Sequence, residues 1–226
     1  MNHINILNFI GYRCIELANE LDSVHKYPKE EAARYKKDDP YKIKPATCCP
    51  LNSESLVVDV GGYNGYWAMK MFCLHQCFID IYEPNLTLAR ECMAHFDGNH
   101  KVCIFPWGLG NKTTSTTLYG NNINASIFKN SGAPIEVMLL KASTVFNERY
   151  KHINLLKVNI EGAEYVMMAD LLVNYDMTKI DNIVIMFHRN VPYHELARDE
   201  TRKGLSLTHE QIWNYDYIFE YWRKKP

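Results

Sequence analysis

Between Leu56 and Phe187, apolar runs of strand length alternate with stretches of helical periodicity. Leu56–Val60, Cys77–Tyr82, Lys101–Phe105, Ile153–Ile160 and Ile180–Phe187 are short and mostly apolar, the pattern of strands buried on both faces. Gly65–His75, Leu86–Phe96 and Ala163–Val173 lie between them and space their apolar residues as helices do. Alternation with short connections predicts an α/β protein whose mostly parallel sheet is covered on both faces. The pattern breaks after Gly110. Polar, turn-rich sequence follows, and Thr113–Tyr119 and Ile135–Leu140 around Gly120-Asn-Asn predict an antiparallel insertion. Near the end, Thr208–Trp213 is expected as a short helix and Tyr217–Trp222 as a last strand.

The first 50 residues read differently. Ile4, Leu7, Ile10, Cys14, Leu17 and Leu21 recur at spacings of three and four, predicting an amphipathic helix over residues 4–22. Residues 26–50 are rich in Lys and Arg and carry Pro28, Pro40, Pro45 and Pro50, so a surface segment with at most one short helix, near Glu30–Lys37, is expected. Two readings of it stay open. It is a solvated connector, or a basic lid over the substrate that Tyr27, Tyr35 and Tyr41 help to line. The expected organisation is therefore a helix and basic connector or lid over residues 1–50 and one domain over 51–226.

Composition narrows the field. With 226 residues, 47% of them hydrophobic, the chain can bury roughly 70% of its unfolded surface without staples. The 25 Lys and Arg against 26 Asp and Glu disfavour a dedicated polyanion binder, so no nucleic-acid partner is expected. The cysteines number 7, with no Cys-x-x-Cys spacing, and read as reduced thiols. Glu16, Glu20 and Asp22 interrupt the first apolar stretch, which fits neither a signal peptide nor a membrane span; a cytoplasmic protein is the expectation.

Five short stretches carry chemistry. In Val57-Val-Asp-Val-Gly-Gly-Tyr-Asn-Gly65 a strand runs into a glycine turn and a helix, and Gly61 and Gly65 allow a tight bend close to a ligand. Asp59 at that strand's end suits a ligand carrying positive charge, such as the sulfonium of S-adenosylmethionine. Ile81-Tyr-Glu-Pro84 ends the next strand with Glu83, where an acidic side chain accepts both hydroxyls of a ribose. Phe105-Pro-Trp-Gly-Leu-Gly110 places Trp107 either on an adenine or in the core. Leu155-Leu-Lys-Val-Asn-Ile-Glu-Gly-Ala-Glu164 brings Asn159 and Glu161 to a strand's carboxyl end, where open α/β sheets bind ligands. Ile183-Val-Ile-Met-Phe-His188 ends an apolar strand in one histidine.

Together, over about residues 54–190, these stretches resemble the FkbM family of S-adenosylmethionine-dependent methyltransferases, which methylate hydroxyls of sugars and related natural products. Asp59, Gly61 and Gly65, the Glu83-Pro84 pair, Gly108-Leu-Gly-Asn111 and Ala125-Ser126 match it. Lys157 through Glu161-Gly-Ala-Glu164 is the most specific match, followed by Phe187-His188. The resemblance implies a Rossmann-like class I methyltransferase fold with a seven-stranded sheet. It implies S-adenosylmethionine as cofactor, held by Asp59, Gly61, Gly62, Tyr63, Asn64, Gly65, Glu83, Pro84, Trp107 and Gly108. Gly62 and Tyr63 stand where the family has Ala and Asn, and Asn159 stands where it has Asp.

Methyl transfer is an in-line displacement, and a base within reach of the acceptor hydroxyl assists it. His188 and Glu161 are the candidate bases. His188 titrates nearest neutral pH, and a helix dipole favours a negative charge at Glu161. In a second version Glu161, Asn159 and His188 hold a magnesium or manganese ion that acidifies a sugar hydroxyl. A terminal deoxyhexose is the acceptor the family suggests. The rivals are a catalytically silent scaffold on the same fold and a nucleic-acid methyltransferase. A dehydrogenase is disfavoured because Tyr63 occupies the middle of its Gly-x-Gly.

Overall fold

The computed structural model describes residues 29–39, 44–120, 125–127 and 132–226. The helix expected over 4–22 and Tyr27 and Tyr41 of the suggested lid lie outside the described residues. Seven strands form one sheet: β1 (Leu56–Val60), β2 (Phe78–Tyr82), β3 (Val102–Phe105), β7 (Leu155–Val158), β8 (Asn182–Ile185), β9 (His209–Tyr215) and β10 (Phe219–Lys224). Their order is β3-β2-β1-β7-β8-β10-β9. All neighbours from β3 to β8 pair in parallel, while β10 runs antiparallel to both β8 and β9. A parallel sheet with one reversed strand inserted next to its edge is the Rossmann-like class I methyltransferase arrangement.

Both faces of this sheet are buried because its strands are apolar on both sides. Val58, Val60, Leu156, Val158, Ile183 and Ile185 face one core. It is closed by α5 (Ala142–Arg149), α6 (Glu164–Asn174) and α7 (His194–Leu205). Val57, Ile79, Ile81, Leu155 and Val184 face the other core, which takes Ala46 from α2 (Lys44–Thr47) and Ala68 and Met71 from α3 (Tyr66–His75). The helix α4 (Leu86–His95) is capped by Asn85, whose side chain accepts the amides of Thr87 and Leu88.

The insertion after β3 is a three-stranded sheet in the order β4-β6-β5, from β4 (Gly108–Gly110), β5 (Thr114–Tyr119) and β6 (Pro134–Lys141). The antiparallel pair expected here forms as β5 and β6, with β4 added in parallel. One element differs in kind: Thr208–Trp213, expected as a helix, is mostly the edge strand β9. Its ladder with β10 outweighs the helix-forming Glu210 and Gln211. The helix α1 (Lys29–Asp38) packs on β9: Arg34 donates to the Asn214 carbonyl, Glu31 accepts the Asp216 amide, and Tyr215 donates its hydroxyl to Asp38. Tyr35, suggested for a lid, is buried there beside Tyr215 and Ile218. No helix among the described residues is long and apolar enough to cross a membrane. Cys48, Cys49, Cys73, Cys77, Cys92 and Cys103 are free thiols.

Candidate active site

The strand order reverses direction between β1 and β7, and the loops leaving these two strands part there to open a cleft of about 300 Å³. Gly61, Tyr63, Glu83, Pro84, Gly108 and Asn159 line it, joined by Glu161.

The glycine turn is set by close packing. Gly61 and Gly62 both donate their amides to the Tyr82 carbonyl, at 2.9 and 3.2 Å, which folds the turn over the end of β2. Gly61 has φ of 85°, and a Cβ there would stand 2.0 Å from the Asn159 carbonyl oxygen. Tyr63 adopts a φ of 52°, a left-handed conformation that Asn tolerates better than an aromatic residue. Its strain is held by two bonds: the Tyr63 amide donates to Glu83 Oε2 at 2.8 Å, and its carbonyl accepts from the Cys92 thiol. Asn64 accepts from His95 through its carbonyl, and Gly65 opens α3 with φ of 83°.

Glu83 accepts the amides of Tyr63 and Asn85, one on each oxygen. Burial outweighs those bonds and pushes its carboxyl up to about 7. Asp59, by contrast, does not line the cleft. It lies fully buried beneath the glycine turn, where Lys157 Nζ donates to its Oδ1 and to the Gly61 carbonyl, each at 2.7 Å. Its charge answers Lys157, so the sequence reading of a carboxylate facing a ligand's positive charge does not describe it. Trp107 is likewise away from the cleft. Its ring packs 5.4 Å from Phe105 and against the core, the second of its two readings.

The turn after β7 joins the second half of the site. Glu161 has φ of 54°, and its carbonyl accepts from Ser126 Oγ at 2.5 Å and Asn190 Nδ2 at 3.1 Å. The Ala125-Ser126 stretch is thereby fastened to the mouth, with Ser126 also bridged to Tyr119. Glu164, fully buried, accepts the Gly162 amide on Oε2 and the His188 amide on Oε1. His188 is itself buried. Its Nδ1 lies 3.1 Å from Glu164 Oε1, and its Nε2 lies 3.3 Å from Glu161 Oε1, outside good hydrogen-bond geometry. Burial opposes a charged ring, but Glu164 and Glu161 more than compensate and push His188 up to about 10. A carboxylate faces each nitrogen and favours the protonated ring, which opposes a role as general base.

The donors do not fit magnesium or manganese either. Those ions favour a full set of oxygen ligands; the set here supplies two, the Glu161 carboxylate and the Asn159 amide oxygen, with one imidazole whose nitrogens both face carboxylates. No group of three His, Cys, Asp or Glu able to hold a metal occurs among the described residues.

Sequence reasoning missed the apolar wall. Leu118 on β5, Leu139 on β6, and Ile127 line the cleft from the insertion, opposite Met186. The signal lies in the strand pattern of Thr113–Tyr119 and Ile135–Leu140, whose Leu118 and Leu139 supply that wall.

No family model and no curated protein matches the chain. Among solved structures it is similar to an rRNA methylase from Streptococcus thermophilus, with 12% identity, 90% of this chain and 100% of that one covered, and a TM-score of 0.47. A Methanococcus jannaschii fibrillarin pre-rRNA processing protein gives 8% identity, 78% and 69% coverage and a TM-score of 0.49. TrmK of M. capricolum, in complex with S-adenosyl-homocysteine, gives 10%, 82% and 68%, and 0.46.

Proposed function

We propose that the protein is an S-adenosylmethionine-dependent methyltransferase that methylates a hydroxyl of a sugar-containing acceptor. One observation carries the reading: Gly61, Tyr63, Glu83 and Asn159 come from three strand ends and converge on one cleft at the switch point. The cradle fits a nucleoside cofactor. Gly61 lines the cleft with backbone alone, and its missing Cβ lets the turn pack against the Asn159 carbonyl. Glu83 uses one lone pair of each oxygen on an amide and keeps the others for a pair of ribose hydroxyls. Asn159 offers a buried amide oxygen with no partner among the described residues, an acceptor for a cationic or N–H group.

S-adenosylmethionine supplies an activated methyl group when bound. The chain's part is orientation and proton removal. Glu161, a quarter exposed at the mouth, is the group placed to take the acceptor's hydroxyl proton. His188 acts on Glu161 and not on the acceptor, as a charged positioning residue that Glu164 holds from behind. The sugar acceptor follows from the resemblance to the FkbM family, and a near-neutral chain fits it better than a polyanion.

Calorimetric titration of S-adenosylmethionine tests the cofactor reading, with Gly61→Val and Glu83→Ala as controls that should lose binding. Mass spectrometry of sugar acceptors incubated with the loaded protein tests the transfer. Absence of cofactor binding by the unaltered protein sinks the proposal; binding without transfer to any hydroxyl favours the silent scaffold.

A further inference from the structure

A second constellation lies beside the cleft at the same edge of the sheet. β9 runs in the same direction as β8, because β10 is antiparallel to both, so the β9–β10 turn reaches the carboxyl edge where His188 and Arg189 leave β8. Tyr217 in that turn is buried and held at a φ of 57°. Arg198 of α7 places its guanidinium carbon 4.2 Å from the centre of the Tyr217 ring, and Arg189 places its own 5.2 Å away.

Neither guanidinium is satisfied. Arg198 is 9% exposed, yet its Nε and Nη1 are buried without an acceptor among the described residues. Arg189 Nε is in the same condition. Contact with the Tyr217 ring engages the guanidinium charge and offers its N–H groups no lone-pair acceptor. The nearby carboxylates do not reach these nitrogens. Asp216 lies 3.4 Å from both Arg198 and Arg202, touching Arg198 only at Nη2. Glu220 accepts from Arg202, Gln211 and Trp222, and Glu164 accepts from His188. Glu195 stands exposed at the start of α7.

Buried donors left unpaired are costly, and a site that keeps several of them on adjacent cations is built for oxygens brought from outside. The fork of a guanidinium matches the oxygens of a carboxylate or a phosphate. The constellation is also tied to the cleft. Asn190, next to Arg189, donates to the Glu161 carbonyl and keeps a buried amide oxygen free of partners among the described residues.

We propose that Arg189 and Arg198, stacked on Tyr217, form a subsite for an anionic group, and that the methyl acceptor is a sugar carrying a phosphate or a carboxylate. The subsite stands on its own geometry; naming its occupant as the acceptor rests on the methyltransferase reading.

Nuclear magnetic resonance of the arginine Nε–H groups, in the full chain without cofactor, tests it with four probes: inorganic phosphate, glucose 1-phosphate, glucuronate and glucose. Glucose 1-phosphate or glucuronate should saturably shift two arginine resonances, whereas glucose should shift neither. The tighter of the two anions identifies the group held. Arg189→Gln, a half-buried change less disruptive than one at Arg198, should weaken the binding about tenfold. Unmoved resonances in the unaltered protein, or equal binding by Arg189→Gln, would overturn the subsite. S-adenosylmethionine titration of the same sample separates the two readings. Anion binding without cofactor binding removes the methyltransferase and leaves the subsite, and the reverse removes the subsite alone.

Discussion

Lys157 Nζ stands 2.7 Å from Asp59 Oδ1, and both side chains are almost wholly buried beneath the glycine turn. The same ammonium donates to the Gly61 carbonyl, so one cation ties β7 to β1 and to the loop that shapes the cleft. Removing one partner leaves an unpaired buried charge. Lys157→Met should therefore cost about 3–5 kcal/mol in urea unfolding, and Asp59→Asn a similar amount. The double variant Asp59→Asn with Lys157→Met should cost clearly less than the sum of the two. An additive result would show that the pair contributes no coupling.

Two glycines with positive φ should respond very differently to alanine. At Gly61 a Cβ would meet the Asn159 carbonyl at 2.0 Å; at Gly98, with φ of 73°, it would meet nothing within 4 Å. Gly98→Ala should cost only the left-handed penalty, about 1–2 kcal/mol. Gly61→Ala should cost more than that, and it should abolish S-adenosylmethionine binding at temperatures where the variant is still folded. Thermal melts and calorimetry of both variants check the contrast.

The parallel half of the sheet was legible because each strand is an apolar run of the right length and each glycine or acidic signal falls at a strand end. Glu83, Asn159 and Glu161 line the cleft for that reason, and His188 stands behind Glu161. What sequence could not show was which partner each charge chooses. Asp59 reads equally well as facing a ligand or a lysine, and only the register that sets β1 beside β7 puts Lys157 opposite it. The same holds for His188: its neighbours Glu161 and Glu164 lie in the turn after β7 and at the start of α6, and their closeness favours the protonated ring over the expected base. Edge strand β9 is not legible in its sequence because its pairing with β10, and not its composition, decides its form.

Glu83 makes cofactor affinity depend on pH. Its carboxyl is pushed from an ordinary 4.5 up to about 7, chiefly by burial. The sign follows from linkage: the folded state binds the extra proton, so this group's contribution to stability is present below 4.5 and is lost as pH rises through about 7. Ribose hydroxyls donate best to the ionised form. S-adenosylmethionine affinity should therefore rise as pH increases through about 7, with proton release on binding, and Glu83→Gln should show weaker binding and a flat profile. Calorimetry in buffers of different ionisation enthalpy measures the protons released. An unchanged pH profile in Glu83→Gln would remove Glu83 from the cofactor site.

His188 gives a stability profile of the same sign at higher pH, and a specific signature in rate. Its ring is raised from 6.5 to about 10 by Glu164 and Glu161 against the cost of burial. The stabilisation is thus complete below about 6.5 and disappears as pH climbs through 10. Against the unaltered protein, His188→Gln should be destabilised most at pH 6, and the gap should narrow toward pH 10 in denaturant titrations. If His188 positions Glu161, the transfer rate falls when the ring loses its proton near 10; if His188 were the base, the rate would rise there. Glu161→Gln should lower the rate by about 10²–10⁴-fold, the range for a general base, while leaving S-adenosylmethionine affinity nearly unchanged. A rate that climbs through pH 10 and survives Glu161→Gln would exchange the roles of the two residues.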